Sequence, residues 1–294
     1  MADWDAILIA GPTASGKSGL ALELAEKTNG TVINADSMQV YDGLRILTAR
    51  PEDTDLKRAP HLLYGHVKPD VLYSAARWLE DAKQALDEVR ADGSVPIFVG
   101  GTGLYFKSLL NGIADVPDID PQVRQKWRDF ATEQGAEAVY TELTKRDPQI
   151  AGQFRPSDAR RLVRALEVVD QTGKSLLHFQ NQATSGLFGE RDKIQRLVLM
   201  PDRGLLHQRI NARVHAMIEE GAIEEVKLLK DRDLPREALI LKAIGVAALS
   251  EHLNGETSLE KAIERIRAQT RQYAKRQYTW FRHQLGVGWK VQSN

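Results

Sequence analysis

Eight residues near the start of the chain, Gly11-Pro12-Thr13-Ala14-Ser15-Gly16-Lys17-Ser18, fit the pattern G-x-x-x-x-G-K-[ST] at every fixed position. The residue types suit a polyphosphate. Gly11 and Gly16 allow backbone angles that turn amide groups inward around an anion. A helix starting here would add its positive N-terminal end. Lys17 can reach a terminal phosphate oxygen, and the Ser18 hydroxyl can ligate Mg²⁺ while waters and phosphate oxygens complete the shell. The motif marks a nucleotide-binding type of loop, ATP included, without naming the polyphosphate.

A second group of polar residues follows an apolar run: Asn34-Ala35-Asp36-Ser37-Met38-Gln39-Val40-Tyr41. In an open parallel sheet, ligands sit beyond the carboxyl ends of the strands. Asp36 would then face the phosphate loop, where it could take a proton from a substrate or hold Mg²⁺ through water. It could equally cap the next turn, a common use of Asp. A third group, Val99-Gly100-Gly101-Thr102-Gly103-Leu104-Tyr105, has Phe106 where a dinucleotide fingerprint needs its last glycine. It also lacks the acidic strand end of a Walker-B motif, which disfavours an ATP hydrolase or motor. Gly100–Gly103 offers close backbone approach and one hydroxyl, Thr102.

These groups need strands to aim them. Four short apolar runs, Ala6–Ala10, Thr31–Ala35, Val95–Val99 and Leu197–Met200, are bounded by turn residues and too short for helices. Helical patterns lie near Lys17–Lys27, Ser74–Arg90 and Thr102–Leu110. Alternation of strand and helix predicts an α/β fold, a P-loop nucleoside-triphosphatase-like parallel sheet flanked by helices. From about Asp115 to about Ile194 the pattern turns helical, over Gln122–Glu133, Glu137–Lys145 and Asp158–Thr172, with a polar loop or hinge at Gln180–Asp192. The expected organisation is a core of residues 1–114 and 195–294 holding a helical insertion domain, 115–194. After Met200 the chain reads as helical nearly to its end.

Composition narrows the setting. Lys+Arg and Asp+Glu both number 40, so attraction to nucleic acid has to be local. With no cysteine, disulfides and thiolate metal sites are ruled out, which suits a cytoplasmic location. The start, Met1-Ala2-Asp3-Trp4-Asp5, does not read as a signal peptide, and no run is long and apolar enough for a membrane span.

Taken together, GPTASGKS (11–18), NADSMQVY (34–41), TARP (48–51), PHLLYGHV (60–67), VGGTGLYFKSLL (99–110), DPQVR (120–124), DARRLVRALEV (158–168), LLHQRI (205–210) and RQYAKRQYTWFR (271–282) resemble the tRNA dimethylallyltransferase (isopentenyltransferase) family over nearly the whole chain. The resemblance implies transfer of a dimethylallyl group from dimethylallyl diphosphate to N6 of adenine 37, in the anticodon loop of tRNA, with release of diphosphate. The phosphate loop would then hold a departing diphosphate in place of ATP, with Mg²⁺ as cofactor at Ser18. Lys17, Ser18 and the loop amides suit negative charge on that leaving group. Arg209 is expected as a further cation on it, although its spacing alone reads as a surface helix charge. Asp36 matches the family's general base, and Thr102 a position contacting the tRNA base, which must leave its stack to react.

Expected tRNA contacts are Asp36, Ser37, Met38, Gln39, Thr102, Arg124, Arg160, Arg161, Leu162, Val163, Arg164 and Lys242. Arg267, Arg271 and Lys275 form a four-residue positive spacing on the last helix, followed by Tyr278, Trp280 and Phe281. These could meet phosphates and bases, or form a solvated face with an aromatic anchor. One stretch departs from the family: Val246, Ala247 and Ala248 are apolar where an aromatic and a charged residue are common. A monomer with no membrane association is expected. Three other functions share parts of the pattern: a small-molecule kinase, a prenyltransferase acting on free adenine nucleotides, and a nucleotide-dependent RNA-binding module without catalysis.

Overall fold

The computed structural model describes residues 4–182 and 185–293. Two compact units divide the chain, a core unit of residues 1–110 and 187–294 and a helical unit, Asn111–Gly186.

In the core unit, β1 (Ala6–Ala10) leads through the phosphate loop to α1 (Lys17–Thr28) and on to β2 (Gly30–Asn34). A short helix α2 (Asp53–Leu56), a two-residue strand β3 (His61–Leu62), α3 (Ala75–Ala91), β4 (Val95–Gly100) and α4 (Gly103–Asn111) follow. All of β1, β2 and β4 is buried, the expected state of strands covered on both faces. Ala21, Leu22 and Ala25 of α1 pack on Ile7, Ile9, Ile97 and Val99. On α3, Trp78 meets Phe98 edge-on and stacks flat on Tyr105, their rings 3.9 Å apart. The Trp78 indole donates to the carbonyl of Asn34, so this helix fixes the end of β2.

The helical unit contains α5 (Pro121–Arg146), α6 (Pro148–Ala151), α7 (Ala159–Thr172) and α8 (Leu176–Asn181). Gly135 interrupts α5 with φ 79° and ψ 172°, between the two helices expected at Gln122–Glu133 and Glu137–Lys145. Trp127, Val139, Leu143, Ile150, Leu162 and Leu166 make its core. Asp170 accepts from Lys126, the Trp127 indole and Arg146, closing α7 onto both halves of α5.

The chain returns to the sheet as β5 (Ile194–Leu199), then runs through α9 (Arg203–Glu219), α10 (Ala222–Lys230), α11 (Val246–Leu253), α12 (Leu259–Gln284) and β6 (Lys290–Gln292). The sheet order is β3-β2-β4-β1-β5-β6, parallel throughout. β1 leads away to β2 on one side and the chain later crosses to β5 on the other. The carboxyl ends of β1, β2 and β4 therefore border a topological switch point.

The core reclaims residues ahead of the expected boundary at 195. The Leu187 amide donates to the Leu109 carbonyl, and Phe188 packs edge-on against Phe98. Within the expected loop Gln180–Asp192, the first two residues finish α8, and positions 183–184 lie outside the described residues, as do 1–3 at the acidic start. No helix among the described residues is long and apolar enough to cross a membrane.

Candidate active site

Three loops meet at the carboxyl ends of β1, β2 and β4. In the first, Gly16 at φ 91° caps α1, and Ala14 also takes a positive φ, 62°. A left-handed alanine is strained, and such strain concentrates where backbone must be aimed at a ligand. The loop borders a cleft of about 500 Å³ lined by Ala14 to Leu20, Glu23, Leu199, Arg209 and Arg213.

Three cations share this cleft. Lys17 donates to the Pro12 carbonyl at 3.3 Å; burial is the main cause holding its pKa down to about 8, against the pull of Asp36 and with help from Arg213. Arg209 donates to the Ser15 carbonyl at 3.4 Å, and its guanidinium lies 3.8 Å from where a Gly16 methyl would be. Arg213 donates to the Thr13 hydroxyl at 3.0 Å. Burial opposes its charge, and Asp36 and Glu220 sustain it. Three cations around the phosphate loop, with no described carboxylate bonded to any of them, suit a multiply charged anion.

The second loop follows β2. Asn34 braces it, accepting from the Asp36 amide at 2.8 Å and donating to the carbonyls of Asp36 and Leu63. One Asp36 oxygen accepts from the Met38 amide at 3.0 Å, which is the turn-capping role. Its other oxygen, Oδ2, is engaged by no described residue and faces Gly101, where an added methyl would lie 3.1 Å from it. One oxygen of the carboxylate is thus committed to the turn and the other is left over. Around it, Tyr64, Tyr105 and Tyr273 have their phenols pushed up by burial first and by the Asp36 charge next, so the walls stay neutral.

The third loop, after β4, carries Thr102. Its hydroxyl accepts from the Ser37 amide at 2.9 Å and donates to the Ser37 hydroxyl at 3.3 Å, binding the second loop to the third. A methyl at Gly101 would sit 2.1 Å from Gln277, and one at Gly103 would sit 2.1 Å from the Trp280 ring. Glycine is required at both because α12 comes down directly on this loop.

Among the described residues no three His, Cys, Asp or Glu side chains gather as a metal cage. The oxygen donors available, led by the exposed Ser18 hydroxyl at the start of α1, suit Mg²⁺ drawing most of its shell from a diphosphate and water.

Residues 39–284 match the family model described as "IPPT: IPP transferase". The chain belongs to the IPP transferase family. It is 49% identical over 287 residues to a tRNA dimethylallyltransferase of Agrobacterium fabrum, covering 98% of this chain and 96% of the relative. A tRNA dimethylallyltransferase of Nitrobacter hamburgensis is 53% identical over 281 residues, covering 96% and 88%. Among solved structures, a eukaryotic dimethylallyltransferase acting on tRNA superposes with TM-score 0.78 at 34% identity, over 94% of this chain and 69% of that one. The tRNA isopentenylpyrophosphate transferase of Bacillus halodurans gives 0.67 at 35%, covering 98% and 89%.

For this member of the IPP transferase family, the expected site residues divide into groups. Residues 11–18, Asp36, Ser37, Thr102 and Arg209 come together at the sheet ends. Met38 and Gln39 continue the second loop, where the Gln39 amide is already spent on the carbonyls of Thr48 and Ala49. Lys242 is exposed at the end of a tight turn, Leu239–Lys242. Arg124, Arg160, Arg161 and Arg164 belong to the helical unit, with Arg160 and Arg161 exposed. Leu162 and Val163 turn inward there and pack its core, so their side chains present no surface to a ligand. The positive spacing on α12 is partly consumed: Arg267 pairs with Glu264 and His215, and Arg271 donates to Asn211, leaving Lys275 exposed. Phe281 is a core anchor. Val246 and Ala248 are buried, so the departing stretch packs α11. Arg213 and Gln277 were not legible as site residues, because nothing local marks them.

Proposed function

We propose that this protein transfers a dimethylallyl group from dimethylallyl diphosphate to N6 of adenine 37 in the anticodon loop of tRNA and releases diphosphate. The observation that carries this is the meeting of two opposed surfaces at the sheet ends: a cradle with Lys17, Arg209 and Arg213, and beside it the unengaged Asp36 oxygen with the Thr102 hydroxyl. Family membership supplies the reaction class.

The chemistry suits these residues. An allylic carbon gives up its C–O bond readily because the developing cation is shared over the double bond. What limits the step is charge on the departing diphosphate, and the loop amides with Lys17, Arg209 and Arg213 stabilise it. Mg²⁺, when bound through Ser18, adds positive charge to the same leaving group. The adenine amine is a weak nucleophile, its lone pair being delocalised into the ring. As the N6–carbon bond forms, Asp36 takes the N6 proton. Thr102, held by Ser37, offers a fixed polar edge to the base. Exposed Arg160 and Arg161, with Arg164, Arg124 and Lys242, hold tRNA phosphates. On this reading the protein acts as a cytoplasmic monomer.

Incubation with dimethylallyl diphosphate, Mg²⁺ and unmodified tRNA, followed by mass spectrometry of the digested RNA, tests the proposal. The expected product is prenylated adenosine at position 37. Transfer of phosphate from ATP in its place, or prenylation of free AMP in preference to tRNA, would overturn it.

A further inference from the structure

Gln277 is a polar side chain in the middle of α12 with only 5% of its surface exposed. Its position looks unremarkable, one turn from core residues Ala274 and Phe281. Its hydrogen bonds are not. The carbonyl oxygen accepts from the Thr13 amide at 2.9 Å, and the amide nitrogen donates to the Gly101 carbonyl at 2.9 Å. One side chain therefore joins the phosphate loop to the loop that carries Thr102. Both partners are main-chain groups with fixed polarity, so the amide can sit only one way round. Thr13 is held from a second helix by Arg213, and α9 and α12 are bonded to each other through Asn211 and Arg271.

We infer that Gln277 is a positioning residue: it sets the spacing between the donor loop and the acceptor loop, so that the departing diphosphate and the attacking amine are held in register. This rests on the function proposed above. Without the clamp, the half-buried Thr13 amide and the buried Gly101 carbonyl are left unpaired, and the loops must shift to find partners. A displacement of about 1 Å between reacting groups costs about 100-fold in rate. Gln277 has almost no free surface, so tRNA affinity does not depend on it.

Three measurements on Gln277→Leu and Gln277→Glu test the inference. In Gln277→Leu, single-turnover prenylation at saturating substrates falls about 100-fold while the tRNA Kd stays within about twofold of wild type. Inorganic pyrophosphate with Mg²⁺, titrated by calorimetry, binds about tenfold more weakly, the scale of one hydrogen bond to the anion lost as the phosphate loop shifts. Gln277→Glu keeps the acceptor for Thr13 but turns an oxygen toward the Gly101 carbonyl. Protonation restores a donor, so its rate relative to wild type at each pH recovers as pH falls from 8 to about 5.5, burial having raised the new carboxyl. Asp36, Lys17, Arg213 and Tyr273 face the same region and are present in both proteins, so the ratio removes their common contribution. A side chain that merely packs would give no such recovery.

Wild-type rates and pyrophosphate affinity in both variants would overturn the clamp, as would a loss confined to tRNA affinity, which would make Gln277 an RNA contact. If Gln277→Leu melts far below wild type, the Gln277→Glu ratio decides alone, and its failure to recover counts against the inference. A wild-type protein inactive with dimethylallyl diphosphate would sink the proposed reaction, while the pyrophosphate titrations would still report on the clamp.

Discussion

The core and the helical unit spend their charges in opposite ways. At the sheet ends, Lys17 and Arg213 line the cleft half-buried, where desolvation disfavours their charge, and the polar bonds that order the loops join residues far apart in the chain, such as Thr13 with Gln277 and Ser37 with Thr102. In the helical unit, Arg161 and Arg164 stay near solvent and pair one turn away, with Asp158 and Glu167. Desolvated charge acts strongly and demands a counter-ion, which suits a leaving group. Solvated charge acts weakly and is easily exchanged, which suits the phosphates of a large, reversible RNA partner.

That contrast is most exposed to test at the core. Replacing Lys17 with Met, or Asp36 with Asn, slows the single-turnover step at saturating tRNA by at least about 100-fold, the lower range for a general base. A near-wild-type rate for Asp36→Asn removes it as the proton acceptor. Next in size is Leu162→Ala, which costs about 2–5 kcal/mol of stability by emptying a packed site. Chemical denaturation reads that cost, and pyrophosphate affinity should not move. A loss of tRNA affinity with unchanged stability would make Leu162 a contact after all. Third, Arg161→Ala with Arg164→Ala weakens tRNA binding and lowers its salt slope by about 1.4, two phosphate contacts at the single-strand value, leaving the saturated rate intact. An unchanged slope puts those arginines away from phosphate.

The smallest effect comes from pH. Lys17 has its pKa lowered from 10.5 to about 8, and only the charged form attracts diphosphate. Pyrophosphate affinity therefore falls as pH rises through about 8, and binding near that pH takes up a proton, measurable by calorimetry in buffers of different ionisation enthalpy. The same shift has a stability sign. Between about 8 and 10.5 the unfolded chain holds the Lys17 proton that the folded one has lost, so this group makes the unliganded protein more stable as pH rises across that window. Pyrophosphate affinity unchanged from pH 7 to 9.5 would place the Lys17 charge outside the binding step.

Much of this architecture was open to inspection along the chain. The four main strands announced themselves as apolar runs, and the break at Gly135 as a glycine between two helical patterns. Strand β5 starts earlier than its apolar run because Gln195 and Arg196 interrupt the hydrophobicity but keep the pairing with β1. Strands β3 and β6 span two and three residues, too few to show alternation, and exist because a neighbour offers free carbonyls and amides. The phosphate loop is legible because its contacts are local. Arg213 and Gln277 are illegible for the opposite reason: each touches Thr13 across about two-thirds of the chain or more, and at helical spacing both look like ordinary helix residues. Arg267 stands out in the sequence for its spacing with Arg271 and Lys275, whereas it is spent on Glu264 one turn away and on His215 of another helix.

One feature constrains how such a protein can change. Around Thr102, a methyl at Gly100, Gly101 or Gly103 would come within 2.0–2.1 Å of neighbouring atoms. Three of these four adjacent positions are therefore closed to any larger amino acid unless α12 or the end of β2 retreats. Substitution in this loop is therefore freest at residue 102, and a larger side chain at its neighbours has to displace Ala35, Gln277 or Trp280.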